Sequence, residues 1–387
     1  MRTEPNSEIA RILLAFLATA GIFYVNIMPA IVDGLIEGLD FTNRQAGFVG
    51  SANLYGAALG AFTAVLVVKI VPWRKAAYAL LITLIAMDFA SMLITSPATM
   101  IGARFVHGLV GGVLVGTGFA VMSRTTEVHR SFGYLLTIQF GLGGLGIMYL
   151  PGLVPEFGTK ALFLSLIAFS VVTLLMIPFL SEYPRKDESV VVAGGQKHKG
   201  FMALALLATF LFQAANMAIY AYAIGIGKHA MLDPDFVNKS LGAAAWVAIA
   251  GSVFVILLST RFGRLVPVSI AIVLTAIGIW ALRYSHINPN SWVSSVYWLS
   301  NVLVAITWAF VISYLLGICS EFDTTGQMAA MGGFASKMGL ASGPAVAAMI
   351  VGQDNYGLVI NVGVVALVIC LLVFIAPAMA LDKKPAT

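Results

Sequence analysis

Residues 98–122 read ATMIGARFVHGLVGGVLVGTGFAVM. Arg104 is the one fixed charge in this run and His107 the one further group able to gain a charge; the rest is apolar or small, apart from two threonine hydroxyls. About 20 consecutive apolar residues cross ~30 Å of hydrocarbon at 1.5 Å per residue. Hydrocarbon offers backbone N–H and C=O groups no partners, so such a run must satisfy them internally, as a helix. The pattern recurs along the whole chain. Similar runs lie near 9–35, 45–69, 74–95, 131–151 and 160–180, and six more follow near 201–226, 236–259, 265–283, 292–317, 325–350 and 356–380. The expected fold is an all-α membrane protein with twelve transmembrane helices. Composition agrees: 60% of the 387 residues are hydrophobic and 10% charged, against about 25% charged in a soluble domain.

One stretch reads as a linker, residues 181–200, with Arg185, Lys186, Asp187, Glu188, Lys197 and Lys199. It divides the chain into an N-terminal six-helix bundle, 1–180, and a C-terminal one, 201–387. Of the 22 Lys and Arg residues, fifteen fall in loops and tails on one side of the expected spans and five on the other. The positive-inside rule then puts both termini and the linker in the cytoplasm. The basic residues sit at span ends rather than on one patch, which argues against nucleic acid. Cys319 and Cys370 fall at or inside spans, so no disulfide framework is expected. The first run, Ile9 to Ile31, is too long for the apolar part of a signal peptide. The halves also echo each other. A basic turn, Lys69-Ile-Val-Pro-Trp-Arg-Lys75, follows the second span and Thr260-Arg-Phe-Gly-Arg264 the eighth, while glycine-rich segments recur at 141–146 and 339–344. Such weak internal symmetry marks a repeat-built carrier.

Taken together, these residues resemble the major facilitator superfamily over essentially the whole chain. Arg104-Phe-Val-His-Gly108-Leu-Val-Gly-Gly112 is similar to the family's Arg-x-x-x-Gly-x-x-x-Gly signature. The loop after span two keeps only the basic Trp73-Arg74-Lys75 of the family pattern, and its second copy keeps Arg261, Gly263 and Arg264 with Thr260 where an acid would stand. Asn26-Ile-Met-Pro29 is similar to a motif of drug-exporting members, without their preceding acid. The resemblance implies two pseudo-symmetric six-helix bundles working as a rocker switch, with a central cavity lined by spans 1, 2, 4, 5, 7, 8, 10 and 11.

Charged residues inside spans need a reason, because each costs at least ~2.5–3.5 kcal/mol on insertion scales. Lys337, near the middle of span eleven, reads as an anchor for an anionic group, as half of a helix-locking salt bridge, or as a proton-coupling amine. Arg104, with His107 one turn deeper, is a candidate for coupling or gating, or for tying helices together. Asp88 in span three either pairs with Arg104 or a backbone donor, or takes part in coupling. Asp33 shares a sevenfold spacing with Thr19 and Asn26, which makes it the outer end of a cavity stripe or an interfacial carboxylate. Two uncharged stripes complete the candidates: Gln213, Asn216 and Tyr220 in span seven, and Trp298, Asn301 and Trp308 in span ten. Amides are unfavourable against lipid, and aromatics beside them suit a flat solute held by a few hydrogen bonds; helix packing explains the stripes equally well. Gln139 and Tyr24 are weaker additions.

There is no Walker A sequence and no His or Cys cluster with metal spacing, so neither enzyme chemistry, cofactor nor metal is expected. The function this supports is secondary active transport of a small organic anion, such as a carboxylate, by alternating access, with protons as the default coupling ion. The alternatives are a proton-coupled exporter of amphipathic drugs or metabolites, and a non-transporting membrane receptor or assembly factor. A monomer in a bacterial inner membrane, acting as a symporter, is the expectation that accompanies the first.

Overall fold

The computed structural model describes residues 2–126, 128–183, 199–258, 261–287, 292–322, 327–352 and 354–383. The chain forms two compact units, Met1–Asp187 and Glu188–Thr387. Apart from one short 3₁₀ turn, every regular element among the described residues is an α-helix.

The first unit holds α1 (Glu8–Ala20), α2 (Phe23–Asn26), α3 (Met28–Leu39), α4 (Asn43–Ile70), α5 (Trp73–Ser91), α6 (Pro97–Met122), α7 (Val128–Phe157) and α8 (Lys160–Met176). The first span, expected as one rod over 9–35, is thus three pieces. Pro29 explains the second break: its ring opposes the carbonyl four residues back and it has no N–H to give, so the chain leaves helical geometry at Ile27, φ −107° and ψ 20°. The first break lies beside Gly21, where α1 meets α6 backbone to backbone. A Cβ on Gly21 would lie 2.3 Å from the Gly111 carbonyl oxygen. α4 opens with a reciprocal cap: Thr42 N–H donates to Gln45 Oε1 at 2.9 Å and Gln45 N–H to Thr42 Oγ1 at 3.2 Å, satisfying two donors that a helix start leaves orphaned.

α4 and α6 form the tightest pair in this unit. A Cβ on Gly108 would meet the Asn53 carbonyl oxygen at 1.9 Å, and one on Gly56 the Phe105 carbonyl oxygen at 2.0 Å. Small residues let helix backbones touch where no hydrophobic driving force separates protein from lipid. That contact holds α6 in the register in which it presents its side chains to α5.

The second unit holds α9 (Lys199–Ala221), α10 (Ala223–His229), α11 (Pro234–Val247), α12 (Ile249–Leu258), α13 (Leu265–Ile287), α14 (Val293–Glu321), α15 (Gln327–Ile350) and α16 (Tyr356–Asp382). Spans seven and eight are broken at Tyr222 and Ala248, where the sequence reading expected continuous helices. α9 and α15 pack through glycine as α4 and α6 do: a Cβ on Gly343 would lie 2.3 Å from the Ala214 carbonyl oxygen. Gly263 has φ +68°, in the left-handed region, and a Cβ there would meet Asp382 at 2.7 Å. The residue after it, Arg264, forks between Glu321 (Nη2 to Oε2, 2.6 Å) and Asp382 (Nη1 to Oδ1, 3.1 Å), joining the ends of α13, α14 and α16.

Eight helices among the described residues are long and apolar enough to cross a membrane by themselves. α1–α3 are each too short to count alone, and α5 carries Arg74, Lys75 and Asp88 within its 19 residues. With α4 and α15 these complete the twelve spans. Most of the expected linker, 184–198, lies outside the described residues.

Candidate functional site

In the second unit the polar side chains converge on Gln213 of α9. Trp308 of α14 donates its indole N–H to Gln213 Oε1 at 2.6 Å. Gln213 Nε2 donates in turn to Ser336 Oγ of α15 at 2.7 Å. The direction of this chain is set at its start, because an indole nitrogen only donates. Gln213 must therefore turn its oxygen to Trp308 and its NH2 to Ser336. Ser336 accepts, which leaves its own hydroxyl hydrogen to give. Tyr220, two turns along α9 from Gln213, sets its ring edge-on to Trp308 with centroids 5.7 Å apart.

Lys337 follows Ser336 directly. It is half-buried near the middle of α15 and makes no hydrogen bond or ion pair with another described residue. One turn before it, Gly333 has nothing within 4 Å of where a Cβ would stand. The donors left over in this chain are the Ser336 hydroxyl and the second Gln213 N–H, and the Lys337 amine stands next in sequence.

The remaining candidates of this unit sit apart from that chain. Asn216 is buried and donates to the Phe212 carbonyl of its own helix at 2.8 Å; its Oδ1 has no partner among the described residues. Asn301 likewise donates back to the Tyr297 carbonyl at 2.8 Å. Trp298 is half-buried without a hydrogen bond to another described residue. Its neighbour Tyr297, not singled out from sequence, donates its hydroxyl to the Ala223 carbonyl at 2.8 Å, just past the break in span seven.

The first unit contains a second, buried cluster. Arg104 is fully enclosed; its Nη1 donates to Asp88 Oδ1 at 2.8 Å, and its Nη2 bonds Ser91 Oγ. Its guanidinium lies over the rings of Phe163, 5.0 Å from the centroid, and Tyr24, 5.8 Å away, an arrangement in which the π faces attract the cation. His107 Nε2 lies 3.3 Å from the Asp88 carboxylate. On the ring's other side Asn53 Nδ2 lies 3.0 Å from Nδ1. With arginine against aspartate, the cluster sets one charge against its opposite away from water. Arg104 thus ties α6 to α5, and span one brings the Tyr24 ring over the guanidinium.

Tyr24 therefore belongs to this cluster. Gln139 of α7 is half-buried, and its carbonyl accepts from Asn26 Nδ2 at 3.4 Å. Asp33 is buried in α3. The stripe Thr19, Asn26 and Asp33 assumed an unbroken helix; two breaks separate these residues, so sevenfold spacing no longer puts them on one face. Sequence reasoning missed Ser336, Asn53 and Ser91. Asn53, an amide inside an apolar span, meets the same criterion that singled out Asn216; Ser336 carries no such signal beyond adjacency to Lys337.

The family model described as Major Facilitator Superfamily matches residues 12–206, half of the chain. The chain belongs to the major facilitator superfamily. Its fold is shared by solved members. The structure of the nucleoside transporter NupG superposes with a TM-score of 0.75 at 13% identity, covering 97% of this chain and 99% of that one. A D-xylose-proton symporter gives 0.72 at 16% identity, covering 94% and 97%. A bacterial homologue of the human lysosomal transporter Spinster gives 0.68 at 12% identity, covering 99% and 100%. No curated protein matches the sequence. This major facilitator protein is an integral membrane transporter, not an enzyme, and its cargo is a small molecule.

Proposed function

We propose that this transporter carries a small organic anion, with a carboxylate as its simplest form, by proton-coupled alternating access. The observation that carries the reading is the polarity of the chain Trp308→Gln213→Ser336, whose last member is followed in sequence by Lys337. A hydrogen-bonded chain that ends on a hydroxyl with its hydrogen to give, with a cationic side chain next in sequence, fits a ligand that only accepts, and an ionised carboxylate is such a ligand. Hydrogen bonds to a charged group contribute about 1.5–3 kcal/mol each, more than those to a neutral one. The aromatic pair Tyr220–Trp308 at the head of the chain favours an anion with a flat apolar part. Sugars and nucleosides, the cargo named for two structural neighbours, offer donors as well as acceptors and match this polarity less well. A bacterial inner membrane, both termini cytoplasmic and a monomeric state accompany the proposal.

The test is uptake into proteoliposomes of a panel of radiolabelled carboxylates, with xylose and uridine as neutral controls and with an imposed pH gradient. Carboxylate uptake that follows the gradient and is abolished in Lys337→Ala, with the variant folded, is the expected result. Uptake indifferent to Lys337, or confined to the neutral controls, rejects the anion assignment. The same aromatic pair would also serve an exporter of amphipathic compounds. Drug resistance on overexpression, without carboxylate flux, would favour that reading.

A further inference from the structure

Asn53 of α4 makes two contacts that together fix the state of a buried histidine. Its Nδ2 lies 3.2 Å from the Arg104 carbonyl oxygen and 3.0 Å from His107 Nδ1. The first contact identifies the amide nitrogen, since an amide oxygen there would face another oxygen. An N–H then points at His107 Nδ1, which must be the bare, accepting nitrogen. The ring proton belongs on Nε2, facing the Asp88 carboxylate 3.3 Å away.

The geometry points to Asn53 as the residue that holds His107 neutral with its proton on Nε2, and whose amide must turn over before His107 can take a second proton. That proton can go only to Nδ1, because Nε2 already carries one. An Nδ1–H would then oppose the Asn53 N–H, donor against donor. Rotating the side chain by a half turn about its Cβ–Cγ bond presents Oδ1, which accepts the new N–H, and breaks the bond from Nδ2 to the Arg104 carbonyl. That bond lies at the closest approach of α4 and α6, where the Asn53 carbonyl sits against Gly108. Protonation of His107 is thereby linked to an α4–α6 contact.

The groups around the ring are few. Asp88 faces it from α5, Arg104 from its own helix, and Tyr24 from α2 with ring centroids 6.1 Å apart. α4 presents the neutral Asn53. The charged residues of α1, Glu8 and Arg11, stand in its first turn, whereas α1 meets α6 at Ala18 and Gly21, toward its other end. As part of a transport cycle this assignment rests on the proton coupling proposed above; as a property of the ring it does not.

The experiment is nitrogen NMR of the purified full-length protein labelled with ¹⁵N-histidine, with His107→Gln to assign the signal. At pH 7.5 wild type should show one neutral tautomer, protonated Nε2 and bare Nδ1. A protonated Nδ1, alone or together with Nε2, would overturn the assignment whatever the variants do. Asn53→Asp, whose carboxylate accepts but does not donate, should carry protons on both nitrogens at a pH where wild type carries one. Asn53→Leu should lose the single tautomer. Unchanged His107 signals in both variants would equally overturn it. Carboxylate uptake that ignores pH, with the wild-type tautomer as assigned, would remove proton coupling and leave the role of Asn53 at the ring standing.

Discussion

Replacing Trp308 by Phe isolates the polarity argument, because it keeps an aromatic ring against Tyr220 and deletes a single N–H. That N–H gives a 2.6 Å bond to Gln213 Oε1 and is what orients the amide. Without it the amide can turn, offer its oxygen to Ser336, and take the hydroxyl hydrogen that would otherwise reach an anion. The ligand then loses one hydrogen bond to a charged group, about 1.5–3 kcal/mol, which is roughly a tenfold to hundredfold rise in Kd. Ser336→Ala removes the same donor directly and should weaken binding by a similar factor. The two changes act on one hydroxyl, so the double variant should bind about as well as Ser336→Ala alone instead of showing the product of the two effects. Calorimetric binding of a transported carboxylate to the detergent-solubilised variants, with thermal unfolding to confirm the fold, reads both quantities. A Kd for Trp308→Phe within twofold of wild type, or fully multiplicative effects in the double variant, would refute the reasoning.

Three further outcomes follow from the packing. Asp88→Asn leaves the enclosed Arg104 without its counter-charge and should destabilise the protein by about 3–5 kcal/mol; thermal unfolding in detergent reads the loss, and a stability near wild type would show that the ion pair is not needed. Gly108→Ala puts a methyl group where the Asn53 carbonyl oxygen stands at 1.9 Å, so the α4–α6 contact must open at a cost of about 3 kcal/mol or more, measured as a lowered unfolding midpoint; Gly102→Ala, with nothing within 4 Å of its Cβ position, should be tolerated. Thr42→Ala removes half of the reciprocal cap on α4 and should cost about 1 kcal/mol, seen as faster amide exchange in the first turn of that helix; unchanged exchange would mean the cap does not hold it.

The twelve spans were legible because hydrophobic length is a local property, readable without knowing any neighbour. The breaks within spans one, seven and eight were not. Pro29 is visible in the sequence, yet the break beside Gly21 depends on a contact with Gly111, ninety residues away, that no local pattern announces. Helical phase was a second limit: Trp298 attracted attention for its size, whereas Tyr297, one residue and about 100° around the helix, bonds the chain just past the break at Tyr222. Asp88 and Arg104 could be considered as a pair because two costly charges in neighbouring spans have a strong reason to meet. Ser336 and Asn53 escaped notice because their importance lies in hydrogen-bond direction, which exists only once Trp308, Gln213 and His107 are assembled.

The central claim is that Lys337 and its donor neighbours recognise negative charge. It is tested most directly by the affinity of purified protein for matched pairs of aromatic or aliphatic acids and their primary amides, which share size and shape and differ in charge and in added N–H donors. At least one acid should bind, and its amide should bind at least a hundredfold more weakly. An amide bound as tightly as its acid, across every pair that binds at all, would contradict it.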